Sequence, residues 1–128
     1  IADTTFFGAL ASTDALVLDA NFVYATGGCG GVQRAARDGS TAKSEMLAIV
    51  PESNGVVCAG GGEEIALDDT FVYLAFRGDG QASSILRAAK SGGTFESIVS
   101  AGELASIVVD STGVFWNDTT SLRVLTQP

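Results

Sequence analysis

Apolar residues in this chain alternate with polar or small ones over short runs, and three of those runs share one pattern. They are LVLDANFVYAT at Leu16 to Thr26, IALDDTFVYLA at Ile65 to Ala75 and IVVDSTGVFWN at Ile107 to Asn117. Each reads apolar-x-apolar-Asp-x-x-x-Val-aromatic. A period of two over such short runs predicts β-strands. The Asp between the two apolar stretches predicts a tight turn whose carboxylate accepts backbone N–H groups two residues on. Asp19, Asp68 and Asp110 stand 49 and then 42 residues apart, close to the ~40 to 50 residue period of sheets repeated radially as propeller blades. A second block follows each copy in the same order: VQRAARDGS at Val32, ILRAAKSGG at Ile85 and the shorter SLRVLTQP at Ser121, which aligns Arg34, Arg87 and Arg123.

Each repeat reads as four short strands. In the second repeat strand A is Glu64 to Leu67, strand B is Phe71 to Phe76, strand C is Ser84 to Lys90 and strand D lies near Phe95 to Ser100. Asp38-Gly39 and Ser91-Gly92-Gly93 supply the positive-φ positions of a C to D hairpin. Four-stranded antiparallel sheets repeated around an axis are β-propeller blades. The expected fold is therefore all-β, a single domain over residues 1–128 with three blades.

The third repeat carries strands A to C, and Gln127-Pro128 fall where the hairpin into strand D belongs. Thr4 to Leu10 precedes the first strand A at the spacing of a strand D. The third blade is thus expected to be split between the two ends of the chain, and three blades fall below the usual four to eight. The expected partner is a second copy. Two chains would build a six-bladed ring, each donating the strand that carries Thr5, Phe6, Phe7 and Leu10. The alternative is a head-to-tail polymer, formed if the rotation fails to close.

The repeats resemble those of secreted six-bladed propellers of the NHL, YWTD and SMP-30-like kind, on the residues IALDDTFVY at Ile65, VFWND at Val114 and LRAAKSGG at Leu86. These motifs specify a blade and not an activity. In SMP-30-like lactonases a Glu, Asn and Asp set holds the catalytic metal, and no spacing here carries those residues over.

Composition narrows the partners. Seven basic against fifteen acidic residues give a net charge of -8, which repels nucleic acid and anionic membranes. No apolar stretch is long enough to cross a bilayer as a helix. Ile1 is not an initiator methionine, and the chain is expected to be a mature or excised product. The acidic, low-lysine composition and the two cysteines suit an extracellular, periplasmic or cell-envelope setting. Histidine is absent, which removes Ser-His-Asp and Cys-His chemistry.

In a propeller the B to C and D to A loops share one face. Cys29 and Cys58 fall on it, either as a disulfide closing a loop of ~30 residues, worth roughly 3 kcal/mol, or as two buried thiols. Asp14, Glu63, Glu64 and Glu103 gather just ahead of strand A on the same face. They form a solvated acidic rim or, doubled in a dimer, a Ca²⁺ site; no other cofactor is expected. Arg77 and Asp79 lie in an extended B to C loop, a position that often forms binding surface. Trp116 is read as blade packing or, near that loop, as a sugar platform. Asn117-Asp118-Thr119 is a glycosylation sequon. The leading expectation is a non-enzymatic binding or assembly module with a protein or glycan ligand on the loop face. The alternatives are a structural subunit that polymerises by strand exchange and a metal-dependent hydrolase of the lactonase type.

Overall fold

In the computed structural model of the chain, residues 15–26, 31–40, 44–49, 64–76 and 83–126 are described. They form an all-β molecule. The first repeat contributes β1 (Ala15–Leu18), β2 (Phe22–Thr26), β3 (Gly31–Ala36) and β4 (Glu45–Ile49). The second contributes β5 (Glu64–Leu67), β6 (Phe71–Phe76), β7 (Ser83–Ala89), the two-residue β8 (Gly93–Thr94) and β9 (Glu96–Ala101). The third contributes β10 (Ser106–Asp110), β11 (Gly113–Asn117) and β12 (Leu122–Thr126). Apart from the two-residue β8, the division of the chain into three repeats, read from the sequence, is the division into three sheets.

The first sheet has the order β1-β2-β3-β4-β8, the second β5-β6-β7-β9 and the third β10-β11-β12. All pairings are antiparallel except one. β8, which follows the hairpin after β7, pairs in parallel with β4, Ala48 opposite Gly93 and Ile49 opposite Thr94. The first sheet therefore has five strands where four were expected, because the turn of the second repeat lies against its outer edge. Among the described residues the third sheet has three strands, and the three sheets do not close into a ring. The expected donor strand with Thr5, Phe6, Phe7 and Leu10 lies outside the described residues.

Local chemistry explains the hairpins. The Asp19 carboxylate accepts the Asn21 and Phe22 amides at 2.9 Å each, and Asp68 accepts those of Thr70 and Phe71 at 2.7 Å. Asp110 does the same for Thr112 and Gly113. Each carboxylate saturates the donors that a two-strand reversal leaves unpaired. The turns after β3 and β7 need left-handed backbone, supplied by Gly39 (φ 73°), Gly92 (φ 102°) and Gly93 (φ 136°). A bulge recurs at the matching place in both repeats, between Val32 and Gln33 and between Ile85 and Leu86.

The sheets stack in chain order, and alternation along each strand sends neighbouring side chains to opposite faces. From β6, Val72 and Leu74 point to the first sheet and pack with Tyr24, Val32, Leu47 and Ala48. The intervening Tyr73 and Ala75 point the other way and pack with Leu104, Ile107, Val114 and Trp116. The second sheet is thus buried on both faces. Leu74 is fully buried at its centre. Leu74→Ala is expected to destabilise the chain by about 2–5 kcal/mol, read as a lower urea midpoint at unchanged slope.

Candidate functional site

A few polar side chains link one sheet to the next. Asp19 gives one carboxylate oxygen to its own turn. The other accepts the Tyr24 hydroxyl at 2.8 Å and the Lys90 ammonium of the second sheet at 3.0 Å. Lys90 also stands 5.8 Å from the Tyr24 ring centre, over its face. Arg34 closes the link from the first sheet, donating from Nη1 to the Lys90 carbonyl oxygen at 2.6 Å. Between the second and third sheets the Ile107 amide donates to the Glu64 carboxylate at 3.0 Å.

These bonds set the charge states. Burial acts to raise the Asp19 carboxyl, but donation from the Asn21 amide, Lys90, the Phe22 amide and Tyr24 outweighs it and holds the group well below the usual carboxylate range. Tyr24 is pushed up to about 12, first by burial and then by its bond to Asp19. Tyr73 is pushed up to about 12 in the same way, by burial and by Asp68. Asp118, bonded to Arg123 and to Thr120 and Ser121, is also held well below the usual range. Carboxylates locked in their charged form and phenols locked in their neutral form are fit for holding geometry, not for moving protons near neutral pH.

A second motif repeats beside the first. The Arg34 guanidinium lies 4.6 Å from the Phe22 ring centre and pairs with Glu45. Arg87 lies 4.5 Å from that of Phe71 and pairs with Glu96. The salt-bridge partner of each arginine is thus on the neighbouring strand, not at the repeated turn aspartates. The third repeat departs from this. Arg34 stands opposite Tyr24 and Arg87 opposite Tyr73, whereas Arg123 stands opposite Trp116 and Val124 opposite Phe115. The alignment of Arg123 with the other two is therefore one residue out of structural register. Gly113 replaces the phenylalanine, and a Cβ there would meet the Leu125 carbonyl oxygen at 2.7 Å. Arg123, on the other face of the sheet from Gly113, pairs with Asp118 at 2.9 Å.

Of the residues expected on the loop face, Glu64 is half-buried and spends one carboxylate oxygen on the Ile107 amide. Glu103 is exposed in the connection between β9 and β10. Trp116 is only 8% exposed and packs between the second and third sheets, so its ring offers no open platform for a sugar. Asp14, Glu63, Arg77, Asp79, Cys29 and Cys58 lie outside the described residues. Among the described residues no group of three His, Cys, Asp or Glu side chains is placed to hold a metal ion. Sequence reasoning missed the Lys90–Asp19 bridge. Its signal was the basic residue that ends strand C in both complete repeats, Arg37 and Lys90.

The chain matches no protein-family model and no curated protein.

The two tyrosines are the only ones in the chain. Tyrosinate absorbance is therefore expected to rise with a midpoint near 12, not at the ordinary value of about 10. Because the folded values are raised, their stabilisation is full below about pH 10 and lost toward 12. The acid side has the opposite sign. Asp19 is depressed, so its contribution is full above about pH 4 and is lost as pH falls below it. Asp19→Asn is expected to cost about 1–3 kcal/mol at neutral pH and to flatten the acid limb of the stability curve, measured by urea unfolding from neutral pH downward.

Proposed function

We propose that this chain is a three-blade arc of a β-propeller that acts as a non-enzymatic, self-associating module of the cell exterior or envelope. Its loop face would present a protein or glycan ligand site. One observation carries the reading. Successive repeats form successive sheets, and the first and second sheets each pack their Tyr-bearing face on the opposite kind of face of the next sheet. That packing needs a further sheet at both ends. Among the described residues the third sheet ends in an edge strand, Leu122–Thr126, that is exposed along its whole length. An unpaired edge of this kind is a template for another strand, and the segment with Thr5, Phe6, Phe7 and Leu10 is the candidate to fill it from a partner chain.

The ligand face would be formed by the loops that carry Asp14, Glu63, Arg77 and Asp79, with Glu103 exposed beside them. Two complete arcs give six blades, within the usual range for this architecture. The test is the mass of the purified chain by light scattering at micromolar concentration. A single species of twice 13.0 kDa is expected. A species of 13.0 kDa overturns the reading. Long fibres would assign the chain to the open polymer instead.

A further inference from the structure

The three repeats allow positions at the ends of the stack to be compared with their counterparts at the two interfaces, where the matching side chains are buried or half-buried. Three sets of matching positions face the preceding sheet. They are Leu16, Ile65 and Ile107; Leu18, Leu67 and Val109; and Val23, Val72 and Val114. Ile65, Leu67 and Val72 pack into the first interface, and Ile107, Val109 and Val114 into the second. Among the described residues no sheet precedes Leu16 and Leu18, which are 59% and 51% exposed. Met46, on the same face, is 52% exposed.

The opposite faces behave alike. Val17 and Ala66 pack into the first and second interfaces respectively, but their counterpart Val108 is 62% exposed. Tyr24 and Tyr73 are buried, and their counterpart Phe115 stands beside Val108 and Val124 on the outer face of the third sheet. Val124 is 50% and Leu122 79% exposed. Both end sheets thus carry the side chains of an interface at these positions. A face meant for water on an antiparallel sheet alternates to polar residues.

The polar link at the edge of the first interface has matching halves at the two ends. In the link itself, Lys90 after β7 reaches the Asp19 carboxylate of the preceding sheet. Arg37 holds the same place after β3, where no described sheet precedes it; its Nη1 rests on the Asp19 carbonyl oxygen of its own sheet at 3.2 Å. Asp110 holds the place of Asp19 in the third sheet and uses Oδ1 for its own turn, as Asp19 does.

Resting on the propeller reading above, we infer that the outer face of the third sheet (Val108, Phe115, Val124) seats on the outer face of the first sheet (Leu16, Leu18) of a second copy, with Arg37 of that copy reaching Asp110. The two faces are unlike: one is aromatic and carries an acid, the other aliphatic and carries a base. The contact is therefore heterologous. Two copies each offer one of each face, so both contacts form at once when the six sheets close. Back-to-back pairing of third sheets would instead set Asp110 against Asp110.

The test uses two variants of the full chain, Val108→Asp and Leu16→Lys. Both residues are exposed in the single chain, so folding is expected to be retained, and circular dichroism with urea unfolding checks it. Each variant alone places an uncompensated charge in both contacts, and association is expected to weaken about a hundredfold. Mixed one to one, the variants are expected to regain the mass of twice 13.0 kDa. In the mixed dimer the carboxylate introduced by Val108→Asp faces the ammonium introduced by Leu16→Lys in one contact, and the other contact keeps the wild-type residues. Arg37→Glu is expected to weaken association about tenfold.

If the wild-type chain dimerises but neither variant changes its mass, or mixing does not restore the dimer, the inferred contact is wrong while self-association stands, with strand exchange left to carry it. If the wild-type chain is monomeric, both fall.

Discussion

A sheet that is apolar on both faces must be covered on both faces, and nearly everything in this molecule follows from that requirement. Strands in an ordinary antiparallel sheet send alternate residues to water. In β6 the alternate residues go to two different cores, Val72 and Leu74 to one and Tyr73 and Ala75 to the other. Each core is built from the unlike faces of two neighbouring repeats. The stack is therefore directional: every sheet has a face for the sheet before it and a different face for the sheet after it. Such a stack ends only by exposing one face of each kind or by meeting itself.

The polar groups respect the same direction. The turn aspartate of each repeat first holds its own hairpin by accepting two backbone amides, a purely local task. In the first repeat the remaining oxygen also takes a cation from the next sheet, Lys90. One residue type thus closes a turn and ties two sheets at their rim, and its charge stays fixed because donors surround it. The Tyr24 hydroxyl completes the arrangement by donating to that oxygen, which keeps a buried phenol satisfied. Phe115 stands in the third repeat where the tyrosines stand in the first two and has no hydroxyl to give. The third sheet also differs in its Gly113 and in the one-residue offset of Arg123. All three changes fall on the one sheet that no other follows among the described residues.

Much of the fold was legible in the sequence because strand formation here is governed by local pattern. Strand A at Glu64 to Leu67 and strand B at Phe71 to Phe76 coincide with β5 and β6. The turn aspartates and the glycines of the C to D turns also behave as their chemistry requires. The candidate site was less legible. Glu64, expected in an acidic rim, accepts the Ile107 amide of a neighbouring sheet. For Trp116 the sequence allows both packing and sugar binding, and the burial of its ring between sheets settles its place. Arg34 and Arg87 meet Glu45 and Glu96 across the bulged pairing with the next strand, a pairing that the spacing of the repeats does not reveal.

By itself, then, the sequence determined the repeat, the strands and the turns, since all of these depend on residues within a few positions of one another. Only the tertiary structure decided which face meets which, that β8 would pair in parallel with β4, that Arg123 would slip one position, and that Lys90 would bridge to Asp19. That bridge joins residues 71 positions apart, whose meeting is fixed by how one sheet settles on the next. Local alternation specifies that a face is apolar; only packing specifies its partner.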